Sequence, residues 1–187
     1  MEGHLQNPVK RGIGRGFALA LGLSALLGAA EVGGLYRNTE YGYSIEIPKG
    51  LKGSTDEPPA PQHGVRIGPG KSSFLWVDGS YNAAGAHSAA EILKDTLEDV
   101  RTHAKIESVS RSRIRLGTLP ADSISIRYRP ADSPETAVRE EVVALRAGTT
   151  PRIVYTIGMI VPARRYESQR AVLKSLIDSF HTEKLPP

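Results

Sequence analysis

Between Tyr41 and Pro48, Tyr43, Ile45 and Ile47 alternate with Ser44 and Glu46, the two-residue period of a half-buried strand that Pro48 then stops. Two short strands follow, near Gly64 to Ile67 and Ser73 to Val77, with Gly68-Pro69-Gly70 as the turn between them. The span Asp56 to Gly64 contains Pro58, Pro59 and Pro61, can supply few backbone donors, and reads as an extended surface loop. The period then changes. Ala89, Ile92, Leu93, Leu97 and Val100 repeat at helical spacing, and Ser88 with Glu91 forms a capping box ahead of them, which predicts a helix to about His103. Alternation resumes at Lys105 to Leu116 and Ala121 to Arg129, joined by Gly117 to Pro120, and again at Val138 to Arg146.

The strongest strand signal is Ile153 to Val161. Ile153, Tyr155, Ile157, Met159 and Val161 line one face, and Val154 and Ile160 occupy the other, which predicts a central strand covered on both sides. Pro162 ends it. A second helix, about Arg165 to His181, presents Tyr166, Leu173, Leu176, Ile177 and Phe180 on one stripe, and Lys184 to Pro187 reads as a frayed tail. Strands, a helix, a run of strands and a last helix predict an α+β domain: a mostly antiparallel sheet covered by helices.

The first thirty residues do not belong to that pattern. Lys10, Arg11 and Arg15 lead into the uncharged apolar run Phe17 to Leu27, followed by Gly28-Ala29-Ala30. The run is too short to span a bilayer, and small residues at Gly28 and Ala30 suit signal peptidase. Residues 1–30 are therefore expected to be a signal peptide, and 31–187 a single domain with its core at about 36–182. No cysteine follows the run, so lipoprotein processing is not expected and the product should be soluble in the periplasm or secreted, without a stable membrane anchor. Absence of cysteine throughout the chain also removes disulfides, thiolate metal sites and thiol redox chemistry. The leader holds three basic residues against Glu2, so half of the formal net charge of +4 leaves with it. Such a small excess, with few aromatic residues, does not point to nucleic acid.

The opening stretch Tyr36 to Leu51, with Glu-Tyr-Gly-Tyr-Ser-Ile-Glu-Ile-Pro-Lys-Gly-Leu, and the closing stretch Tyr155 to Phe180 resemble the PsbP-like (Mog/PsbP-like) family. The resemblance spans about Tyr36 to Thr182. It implies an α/β/α sandwich in a group that includes an extrinsic photosystem II protein, a Ran-binding nuclear import factor and many exported bacterial proteins. It also implies a binding or assembly module more often than an enzyme, and brings no shared catalytic residues to map here.

Candidate chemistry is sparse. Gly68-Pro69-Gly70-Lys71-Ser72 looks like the end of a phosphate loop, but Val65 stands where the first glycine is required and a strand rather than a helix follows. Glu91, Asp95 and Glu98 share one side of the first helix without the concavity or oxygen count that calcium needs. His4, His63, His87, His103 and His181 are scattered without metal-ligand spacing, the last two at expected helix C-termini, and no nucleophile elbow or Ser-x-x-Lys occurs. Ser80, Asp78 and His87 are close in sequence only. Trp76 and Phe74 are expected in the core. Cofactors and metals are thus not expected.

One constellation remains. Arg111, Arg113 and Arg115 share a strand face, with Arg127 and Arg129 on the neighbouring strand, so pairing of the two strands would let five guanidinium groups share one surface. Guanidinium forks suit carboxylate or phosphate, pointing to an acidic partner surface or anionic headgroup. The plainer alternative is a solvated face paired with Glu140 or Glu141. The expected function is an exported, non-catalytic binding or accessory module of the cell envelope, its partner another envelope or secreted protein. The alternatives are a periplasmic immunity or inhibitor protein and an enzyme without a recognised motif.

Overall fold

The computed structural model describes residues 31–55, 63–70, 73–150 and 152–185. Residues 1–30, expected to be a signal peptide, and most of the proline-rich stretch lie outside the described residues. Eight strands form the main sheet: β1 (Glu31–Val32), β4 (Gly53–Ser54), β5 (Gly64–Gly70), β6 (Ser73–Tyr81), β7 (Ala104–Leu116), β8 (Leu119–Pro130), β9 (Ala137–Arg146) and β10 (Ile153–Pro162). Their order is β1-β4-β5-β6-β10-β9-β8-β7, and every pairing is antiparallel. A smaller sheet joins β2 (Gly34–Asn38), β3 (Tyr43–Ile47) and β11 (His181–Thr182), with β3 in the middle. The helices are α1 (Ala89–His103) and α2 (Tyr166–Ser179), the latter entered through a 3-10 turn at Ala163–Arg165.

Successive strand residues face opposite ways, so adjacent positions on β9 identify the layers. Val143 packs with Leu93, Leu97 and Val100 of α1, whereas Val142 packs with Leu173 and Leu176 of α2 and with Tyr43 and Ile45 of β3. The helices therefore lie on opposite faces, as the expected α/β/α sandwich requires. α1 runs into β7 without a loop and covers the β7–β9 half of its face. Its start is as expected: Ser88 Oγ accepts the Glu91 N–H at 3.2 Å. Glu91 reaches back one residue further than in a standard box, accepting the His87 N–H at 2.8 Å.

β10 is central, and Ile153, Tyr155, Ile157, Met159 and Val161 are fully buried. Its other face is closed in part by Val154 and in part by Trp76, whose indole lies across Gly158. Trp76 and Phe74 are half-buried outside both core clusters, with Arg139 5.7 Å from the Trp76 ring and Arg66 4.8 Å from the Phe74 ring. This corrects their expected place in the core: α1 does not extend over β5 and β6, so arginine guanidinium groups lie over the rings instead.

Three local expectations also change. β5 continues through Gly68-Pro69 to pair Gly70 with Ser73, after a register shift, so those residues are strand and not turn. α2 ends at Ser179, which puts His181 in a strand and not at a helix terminus. The expected frayed tail is tied down through Leu185: Glu183 donates its N–H to the Gly42 carbonyl at 2.7 Å, and Leu185 packs on the core. Arg146 fastens the same junction, donating to the Glu183 and Gly42 carbonyls and to the Tyr155 hydroxyl, which itself donates to the Tyr41 carbonyl at 2.7 Å.

Candidate partner-binding edge

β7 and β8 form the expected hairpin, through a tighter turn. Leu116 pairs with Leu119, leaving only Gly117 and Thr118 in the loop. Gly117 has φ +58°, and a Cβ there would stand 2.8 Å from the Phe180 carbonyl oxygen, so both conformation and space call for glycine.

This turn divides the five arginines. Arg111 lies opposite Ile124, Arg113 opposite Asp122 and Arg115 opposite Pro120, on the α1 side of the sheet. Arg127 pairs with Ser108 and Arg129 with Lys105, on the α2 side. The strands pair, but the expected single surface of five guanidinium groups does not form. The physical reason is parity: an even-length hairpin loop pairs odd positions with even ones, so Arg111 and Arg127 must face opposite ways. That split was implicit in the Gly117 to Pro120 span.

Glu140 and Glu141 are not partners of these arginines. Glu141 is buried and takes Arg139, whose Nη2 stands 2.9 Å away. Burial pushes the Glu141 carboxyl above its ordinary range, and the Arg139 charge opposes that shift. Glu140 accepts the Tyr166 hydroxyl at 2.7 Å, with Arg170 at 4.0 Å. Arg129 pairs with Glu107 at 3.1 Å, and Arg115 turns to the Thr118 carbonyl.

Among the described residues Arg127 on the α2 side is left without a partner, and so, on the α1 side, are Arg111 and Arg113. The latter two are exposed, and among the described residues neither makes an ion pair or hydrogen bond, although Asp122 is the cross-strand neighbour of Arg113. With Ala90, Leu93 and Asp122 they line a cavity of about 260 Å³ between α1 and the β7–β8 end of the sheet. Every residue from Glu107 to Arg113 is exposed, in keeping with the place of β7 as the last strand of the sheet. Ser110 and Ser112 face the α2 side, directly opposite Ser125 and Ser123.

Elsewhere, Asp78 is raised above the ordinary carboxylate range by burial, and hydrogen bonds to Ser80 and the His63 backbone oppose that shift. Ser80 and His63 act on Asp78, and His87 is not among the groups that do.

Comparison with known proteins bears on the fold. No family model and no curated protein sequence matches this chain. Among solved structures it is similar to LpqN, a Mycobacterium tuberculosis protein involved in cell envelope biogenesis, with a TM-score of 0.59 at 9% identity over 84% of this chain and 92% of that one. It is similar to the cyanobacterial PsbP of Synechocystis sp. PCC 6803, with a TM-score of 0.51 at 15% identity over 89% of this chain and 98% of that one. A variant of the protein Mog1 gives a TM-score of 0.50 at 14% identity, over 84% and 97%. The chain has the PsbP/Mog1-like α+β fold. Among the described residues, no helix is long and apolar enough to cross a membrane.

Proposed function

We propose that this is an exported, non-catalytic binding module of the cell envelope, and that it holds an acidic partner protein through Arg111, Arg113 and Arg115. The observation that carries the reading is the state of Arg111 and Arg113: two exposed guanidinium groups two residues apart on the outermost strand, with no ion pair among the described residues. Arg37, Arg101 and Arg129 find a carboxylate of their own chain, whereas among the described residues Arg111 and Arg113, like the isolated Arg127 and Arg165, do not, and only Arg111 and Arg113 stand two residues apart on one strand face. Arg111 and Arg113 keep their donors for another molecule. Export is supported by the charged start, apolar run and small residues of the leader, and an envelope setting by the likeness in fold to LpqN, a protein of envelope biogenesis. Arg127 and Arg129 take no part, being on the other face.

The test is capture of partner protein from native envelope extract by wild-type chain and by the variant carrying Arg111→Glu, Arg113→Glu and Arg115→Glu. The variant should melt near the wild-type temperature and lose the captured protein, and wild-type capture should weaken as salt rises through physiological ionic strength, where screening acts over about 8 Å. Capture that survives both the reversal and high salt refutes the assignment.

A further inference from the structure

We infer that the partner enters as an added strand: an extended acidic segment pairs with Ser108–Leu116 of β7 and sets a carboxylate at alternate positions against Arg111, Arg113 and Arg115. This rests on the acidic-partner reading above and adds the mode of binding. The first support is the backbone. β7 is hydrogen-bonded to β8 on one side only, and among the described residues no backbone hydrogen bond reaches it from elsewhere. Its outer side therefore offers the row of unpaired N–H and C=O groups that strand addition uses.

The second support is the side-chain code. From Ser108 to Leu116 the α1 side carries Val109, Arg111, Arg113 and Arg115, and the α2 side carries Ser108, Ser110, Ser112 and Ile114. No acidic residue occurs in this span. From Arg111 to Arg115 a neighbouring strand would meet a cation at every second residue, with uncharged Ser112 and Ile114 between them. Directly opposed opposite charges stabilise such a pair, so the matching segment carries Asp or Glu at alternate positions and uncharged residues between. The shift in register at Glu107 and the turn at Gly117 bound the site at its two ends.

The third support concerns the obvious competitor, a second copy of this chain. Antiparallel self-pairing of two β7 edges in one continuous sheet puts like faces together. Centred on Arg111, Ser112 or Arg113, it sets arginine directly against arginine, a destabilising arrangement of the kind that keeps natural edges apart.

The experiment uses five synthetic peptides of equal length: one alternating Thr and Asp, one with the Asp residues in a single block, the alternating peptide N-methylated on one or on the other alternating set of backbone nitrogens, and an alternating Thr and Lys peptide. Binding to the purified chain is read by fluorescence anisotropy, and β7 by amide hydrogen exchange. The alternating peptide should bind at least about tenfold more tightly than the block peptide, N-methylation on one of the two alternating sets of nitrogens should abolish binding, and β7 amides should gain protection. The variant with Arg111→Glu and Arg113→Glu should reject the Asp peptide and accept its alternating Lys counterpart, a reversal that a misfolded variant cannot give. Equal binding of alternating and block peptides with no protection of β7 overturns strand addition and leaves the acidic-partner reading standing. Failure of every acidic peptide, alongside salt-insensitive capture of the natural partner, overturns both. A salt-stable dimer that pairs through β7 overturns the inference in favour of self-association.

Discussion

Trp76 is the only tryptophan in the chain, so the packing of its ring on Gly158 can be read directly. The two residues are cross-strand partners on β6 and β10, and a Cβ on Gly158 would stand 2.4 Å from Cζ2 and 2.6 Å from Cη2 of the indole. Ordinary contact begins at 3.4 Å, so Gly158→Ala drives the ring away by about 1 Å. The ring is a half-buried side chain and can move, so the strand itself is retained. What is lost is the fit between indole and sheet, about 1–2 kcal/mol for roughly 40–80 Å² of apolar surface. The Arg139 contact adds about 0.5–1 kcal/mol to that loss. Against this, alanine recovers about 0.5–1 kcal/mol of the backbone cost of glycine in a strand. The net expectation is a destabilisation of about 1–2 kcal/mol and, at about 2–4 °C per kcal/mol for a chain of this size, a Tm lower by roughly 2–8 °C. Tryptophan emission of the folded variant should shift to the red, and the cost should largely vanish in a Trp76→Leu background, where no ring is displaced. An unchanged emission maximum and midpoint, or an equal cost without the indole, refutes the reasoning.

Ser88→Ala should cost about 1 kcal/mol in chemical denaturation, because its hydroxyl accepts the Glu91 N–H at the start of α1; an unchanged midpoint would mean that the Glu91 carboxylate on His87 carries the cap alone. The raised pKa of Glu141 means that the folded chain binds this proton more tightly than the unfolded chain, so its contribution is present at low pH and lost as pH rises from the ordinary carboxylate range through the raised value. Glu141→Gln should remove that fall from the unfolding free energy measured across the window, and an identical pH profile would show that the carboxylate is not desolvated. The leader should be cleaved next to Ala30, so intact mass of protein recovered outside the cytoplasm should start at Glu31; protein retained in membranes with residues 1–30 attached would make the segment an anchor.

Much of the fold was legible because periodicity and capping act locally. The bounds of α1, its buried stripe Ala89, Leu93, Leu97 and Val100, and the two faces of β10 follow from nearest neighbours in sequence. The two-residue strands β1, β4 and β11 were not legible: a pair of residues carries no period, and each exists because a strand brought beside it from elsewhere in the chain offers free backbone, β5 for β4, β4 for β1 and β3 for β11. The place of Trp76 depended on how far α1 extends across the sheet, a tertiary fact. Of the candidate site, the arginine face on β7 was readable, and so was its separation from Arg127 and Arg129, through the parity of the hairpin. That Arg111 and Arg113 lack partners was not, since Glu141 is taken by Arg139 and Glu140 by Tyr166 only through contacts across the sheet and from α2.

The order of strands in the main sheet also sets the order in which the chain can fold. α1, β7, β8, β9 and β10 follow one another in sequence and are neighbours in space, so each contact closes a short loop. The pairing of β6 with β10 spans all of those elements, and the small sheet joins β3 near the start to β11 near the end. These late closures are entropically the most expensive, which makes the α1–β10 block the natural nucleus and the two chain ends the last parts to dock. Unfolding should run in reverse: β2, β3 and β11 exchange their amide protons first, while β8, β9 and β10 hold theirs until the whole molecule opens.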